Sequence, residues 1–320
     1  MTASAPLANP ARSIPRWEGV TVLLVTLACW CSVPLFLRHL SGYVDHWSNN
    51  GWRYGASALF WLPAVAWGFA RGTLPGSIWR AALVPAVANA AAQVCFTAAH
   101  GYVSPGVLTF AMRLQLVAVA AGAYLLFPAE RQTIRSPRYL CGIALLLAGI
   151  AGVLLAGDDL FHGATAQGVL LALGAGFGYG AYALAVRRFM SRFHPVQAFG
   201  VIALYTAAAL VACMLAFGKD RGLCVLDLAP REMWYMGISA FVGIALGHVL
   251  YYTAIDRLGV AATTGVLQLQ PFIVSAGSAM LLGEALQGGQ WVAGLVAVAG
   301  AALVLSAQRA NDSATRTVGR

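Results

Sequence analysis

Arg113 stands in the largely apolar stretch "LTFAMRLQLVAVAAGAYLLF", residues 108–127. A charge at the centre of a bilayer costs about 2.5 kcal/mol or more on insertion scales, so such a residue faces the protein interior or a watered cavity. Its forked donors suit the carboxylate or another anionic part of a bound solute. They suit freed backbone carbonyls or neighbouring glutamines equally well, and the residue types alone leave both roles open.

Other polar groups fall at depths that could share a cavity with it. Gln115 follows closely, and Gln268 and Gln270 stand in a later run of the same character. Asn89 and Gln93 are four residues apart, hence on one face of a helix, as are His248 and Tyr252. Trp30, Tyr179 and Tyr182 sit in mid-run rather than at interfacial belts, where they could stack on a solute or pack a core. Pro34, Pro85 and Pro271 remove amide donors and free the carbonyls of Trp30, Ala81 and Leu267. Glu130 and Glu284 occupy turns between runs, where they can cap or gate. No nucleophile with a base, no paired acids and no metal-ligand spacing occurs in the runs, and the six histidines are scattered. No catalytic residue, metal or cofactor is therefore expected, and without a Walker motif no ATP hydrolysis either.

The elements that must position these groups are membrane helices. Of 320 residues 60% are hydrophobic and 10% charged, against roughly 25% charged in a soluble domain. Apolar runs cover Gly19–Leu37, Gly51–Phe69, Trp79–Ala99, Val103–Phe127, Arg138–Ala156, Ala166–Val186, Val196–Phe217, Met233–Ala254, Gly259–Leu282 and Gln290–Ala307, which predicts ten transmembrane helices. Fourteen of the 20 lysines and arginines fall in the two terminal tails and the alternate segments on their side; five (Arg38, Arg53, Lys219, Arg221, Arg231) fall in the others, and Arg113 in neither. Positive charge stays inside, so both termini are expected in the cytoplasm. The net charge of +9 then belongs to an inner membrane face that meets anionic lipid, with no nucleic acid implied. The six cysteines suggest no disulfide framework, and the glycines of "LGAGFGYGAYA" read as helix-packing positions rather than a nucleotide loop or an ion filter.

The chain repeats itself. "GVTVLLVTLACWCSVPLFLRHL" from Gly19 aligns with "GVLLALGAGFGYGAYALAVRRF" from Gly168, placing Trp30 on Tyr179 and Arg38 on Arg187. "FTAAHGYVSPGVLTFAMRLQL" from Phe96 aligns with "YTAIDRLGVAATTGVLQLQPF" from Tyr252, placing Arg113 on Gln268 and Gln115 on Gln270. Five helices per half is an odd number, so the halves must be inverted, with a site near the midplane where they meet. The expected division is a tail at 1–18, repeats at 19–157 and 158–307, and a tail at 308–320.

Over about residues 19–307 the sequence resembles the EamA-type family of the drug/metabolite transporter superfamily. The resemblance rests most on the segment from Tyr251, with Pro271, Gly283, Glu284, Gly294 and Gly300, and on Glu130 and Gly142 in the first half. Leu116 stands where the family has a helix proline, which predicts a fourth helix less broken than the ninth. The resemblance implies a secondary transporter, without ATP, of a small polar metabolite such as an amino acid, mostly outward across a bacterial-type inner membrane. Facilitated transport or exchange is expected, since no carboxylate lies inside the runs. A lipid-handling protein on the same fold is the alternative, and a membrane-embedded enzyme a more distant one.

Overall fold

The computed structural model describes residues 16–156, 163–258, 263 and 266–318. Among these every regular element is helical, and none is a strand. The first half comprises α1 (Arg16–Leu40), α2 (His46–Ala70), α3 (Ser77–Ala99), α4 (Pro105–Ala111), α5 (Leu114–Leu126), the short α6 (Arg131–Ile134) and α7 (Pro137–Leu155). The second comprises α8 (Gly163–Ala185), α9 (Pro195–Phe217), α10 (Pro230–Ala240), α11 (Gly247–Leu258), α12 (Gln270–Leu282) and α13 (Gly288–Val318). A π-helical stretch, Phe241–Leu246, joins α10 to α11, and another, Val186–Met190, follows α8.

Local chemistry sets the helix starts. Asp45 caps α2 by accepting from the amides of Trp47 and Ser48, both at 3.0 Å. Ser104 and Ser136 cap α4 and α7, each followed by a proline at the first helical position, where its missing amide costs nothing. Gly283, at φ 71°, ends α12 in the left-handed region that glycine tolerates.

Eight helical stretches are long and apolar enough to cross a membrane. Ten were expected, and the two runs not among these eight differ in character. α2 is 25 residues long but carries polar Ser48, Asn49, Asn50 and Arg53, and α12 has 13 residues. Leu59, Leu125, Leu170 and Met280 are 70–84% exposed, so the outside of the bundle is apolar, as a lipid-facing surface must be. The chain is a multi-pass membrane protein.

The second and last helices of each half pack on their counterparts in the other half and run antiparallel to them. Along α7 and α13, Gly142 faces Val304, Gly149 faces Ala297 and Gly152 faces Ala293. Along α2 and α9, Gly51 faces Met214 while Gly200 faces Val65. A Cβ at Gly149 would run into the backbone of Ala297, so this contact requires glycine. α8 lies antiparallel to α3, and α1 packs on α11, the same pairing with the halves exchanged. The glycines of "LGAGFGYGAYA" belong to this packing: a Cβ at Gly178 would lie 2.9 Å from the Ala92 methyl, and one at Gly176 2.9 Å from the Met112 carbonyl.

The fourth span is interrupted although it lacks the proline: the amide of Arg113 bonds Phe110 and that of Leu116 bonds Arg113, a tighter turn that takes Thr109's carbonyl out of the α-helical ladder. Part of the ninth run lies outside the described residues. Two expectations need correction. Arg53 is not in an outer loop. The Asp45 cap starts α2 earlier than the apolar run suggests, so Arg53 lies two turns inside it and is 1% exposed. Finally, α13 continues as helix past Ala307 to Val318.

Candidate functional site

The turn between α4 and α5 faces the start of α12, and Arg113 joins them. Its Nε donates to the Thr109 carbonyl at 3.2 Å, Nη1 to Gln268 Oε1 at 3.2 Å and Nη2 to Gln270 Oε1 at 2.9 Å. Gln270 Nε2 in turn donates to the Trp30 carbonyl at 3.0 Å, the one Pro34 frees within α1. Pro271 itself sits in the first turn of α12, so it starts that helix rather than kinking a longer one. Four elements meet in one hydrogen-bonded network. Gln115 is half-buried on α5, and among the described residues no hydrogen bond joins its side chain to this network.

Trp30 carries the aromatic side of the same region. Its ring lies 5.5 Å from His248 and 4.9 Å from Tyr251, and Gly247 admits it, since a Cβ there would lie 2.6 Å from the indole nitrogen. His248 also stacks on Phe199 at 4.6 Å and bonds the Ile244 carbonyl. Tyr251 is thus a ring on Trp30 that the sequence did not single out; the side chain of Tyr252 lies outside the described residues.

A second polar group forms between α2, α3, α8 and α9. Asn89 donates to Thr206 at 3.2 Å, Asn50 donates to the Gln93 carbonyl at 3.1 Å, and Thr97 donates to Asn50 at 2.7 Å. The Gln93 side chain reaches the Tyr179 hydroxyl. Arg53 stands beside them, its Nε donating to Ser239 Oγ at 2.9 Å. Sequence reasoning passed over Arg53, yet a signal existed: Asn49, Arg53 and Ser57 fall at intervals of four on one face of α2, and all three are buried.

Among the ion pairs that cross between the halves, two correspond to each other under the repeat. Arg38, at the end of α1, reaches Glu284 Oε1 with Nε at 2.7 Å and Nη2 at 2.6 Å, and its Nη1 donates to the His100 carbonyl at 2.7 Å. Arg187, just beyond α8, pairs with Glu130 and lies 4.1 Å over the Phe127 ring. Repeat alignment matches Arg38 with Arg187 and Glu130 with Glu284, so the two pairs are the same contact with the halves exchanged. They lie at opposite ends of the bundle, because Arg38 binds beyond the end of α3 and α8 runs antiparallel to α3, away from that end.

No curated protein matches this sequence. One solved structure, described only as a crystal structure of protein, matches 92% of this chain and 99% of its own at TM-score 0.60 and 18% identity, a likeness of fold alone. The model of the EamA-like transporter family matches residues 17–155 and again 166–306, so each half is one copy of the family unit. The chain belongs to the EamA-like transporter family.

Proposed function

We propose that this protein is a secondary transporter that moves a small polar metabolite outward across the inner membrane, its two halves (19–157 and 158–307) inverted and rocking against each other. The observation that carries this reading is the exchanged pair of ion pairs, Arg38 with Glu284 and Arg187 with Glu130. Each links the first helix of one half to the turn before the last helix of the other, so each must part for the halves to separate at its own end. That is what two gates require.

Between the gates, Trp30, Tyr179, Asn89, Gln93, His248, Gln268 and Gln270 supply the aromatic and amide lining of the site, with Gln115 and Tyr252 further candidates on the same elements. Arg113 holds the broken α4–α5 span to α12, and Pro34 and Pro271 supply the helix irregularities it uses. Polar groups at this depth favour a polar solute over an acyl chain. Both termini are cytoplasmic in this reading. A cleft of about 820 Å³ at that end, lined by Arg80, Arg188 and Arg192, suits an anionic lipid headgroup.

Purified protein reconstituted in sealed liposomes tests the proposal. Saturable movement of amino acids or organic acids without ATP is expected, slowed in Glu130→Gln and Glu284→Gln. Transport at undiminished rate in both variants would remove the gates, and no movement of any metabolite would remove the function.

A further inference from the structure

Arg113 and Arg53 are both deep in the bundle, and among the described residues neither forms an ion pair. Their donors are used very differently. All three nitrogens of Arg113 bond protein acceptors. Arg53 is 1% exposed and bonds Ser239 through Nε and, at 3.4 Å, through Nη2, while its Nη1 is buried without a partner. A buried guanidinium with three of its five N–H donors unspent, both of those on Nη1 among them, is costly unless something negative meets it.

The surroundings also hold unspent acceptors. Tyr54 lies in electrostatic contact with Arg53 and beside Asn89, whose Oδ1 has no hydrogen bond. Tyr179 and His100 are in electrostatic contact with Arg53 as well. His100 gives Nδ1 to the Phe96 carbonyl, which leaves Nε2 as an unpartnered acceptor. Nearby, Ser239 precedes the π-helical stretch Phe241–Leu246, an irregularity of the kind found at functional sites. We infer that Arg53 is the anion contact of the transported solute, which is therefore a small carboxylate carrying a hydrogen-bond donor, an amino or hydroxy acid. The inference rests on the transporter reading, and names the substrate class of its site.

Thermal stabilisation of the full-length protein in detergent tests it, with serine, glutamate and lactate each set beside the corresponding amide. The carboxylates are expected to raise the melting temperature and the amides are not. In Arg53→Gln, carboxylate affinity should fall roughly 10- to 100-fold, the loss of a charge-assisted hydrogen bond. Where that variant does not fold, Arg53→Lys takes its place, keeping the charge without the fork and binding about tenfold more weakly. Equal stabilisation by the amides, or unchanged carboxylate affinity in the folded variant, would overturn the inference. Neither outcome touches the transporter reading, which liposome flux decides separately.

Discussion

At the scale of single residues, the interior is organised by side chains that repair what the backbone leaves open. Pro34 takes an amide out of α1, and the Trp30 carbonyl it frees is satisfied by Gln270, which also holds one arm of Arg113. Gln270→Ala leaves both a buried carbonyl and a guanidinium nitrogen short of a partner. An orphan of this kind costs about 1–3 kcal/mol, so the variant should melt earlier than wild type; an unchanged melting temperature would mean the network is dispensable. Asp45 acts at the end of α2 and outside the membrane. Burial raises its pKa, but the hydroxyl and amide of Ser48 and the amides of Lys219 and Trp47 outweigh that and hold the carboxyl below its usual range. A group depressed in the folded state contributes its stability in full above the usual carboxylate range and loses it as the pH falls through the folded value. Acidification below about pH 4 should therefore lower the melting temperature of wild type more than that of Asp45→Asn.

At the scale of elements, helices approach one another through glycine, and the cost of a side chain depends on what it would meet. Gly149→Val would drive two methyl groups into the backbone of Ala297 where α7 crosses α13, for a loss of about 1–3 kcal/mol or more. Gly237→Ala, on α10 with nothing within 4 Å of the new Cβ, should instead stabilise by up to about 1 kcal/mol. Thermal unfolding of the two variants side by side distinguishes close packing from a general intolerance of change. The sequence makes the repeats, most spans and the packing role of these glycines readable, because all follow from composition and local pattern. It makes the Arg113 environment readable too, since aligning the halves sets Gln268 opposite Arg113. Arg53 escaped because an apolar-run criterion starts α2 at Gly51, whereas the Asp45 cap starts it at His46. The break at Arg113 escaped because no proline marks it, and Tyr251 because adjacent tyrosines on one helix cannot be ranked without knowing which way the helix faces. The partners of Arg38 and Arg187 lie in the opposite half, so no local pattern announces them.

At the scale of the whole molecule, α2 and α7 run antiparallel to their counterparts α9 and α13, and the two matching arginine–glutamate pairs link the halves. Charge reversal probes that symmetry: Glu284→Arg alone should impair folding or transport by setting like charges together, and Arg38→Glu with Glu284→Arg should recover part of it. The same exchange at Arg187 and Glu130 should behave alike. The most direct measurement is transport by the double variant Arg38→Cys with Glu284→Cys, and separately by Arg187→Cys with Glu130→Cys, each before and after disulfide formation in sealed liposomes. Alternation between two gates requires that a disulfide at either end alone stop transport and that reduction restore it. Flux that continues unchanged with either disulfide fully formed would contradict rocking of the halves, and with it the proposed mechanism.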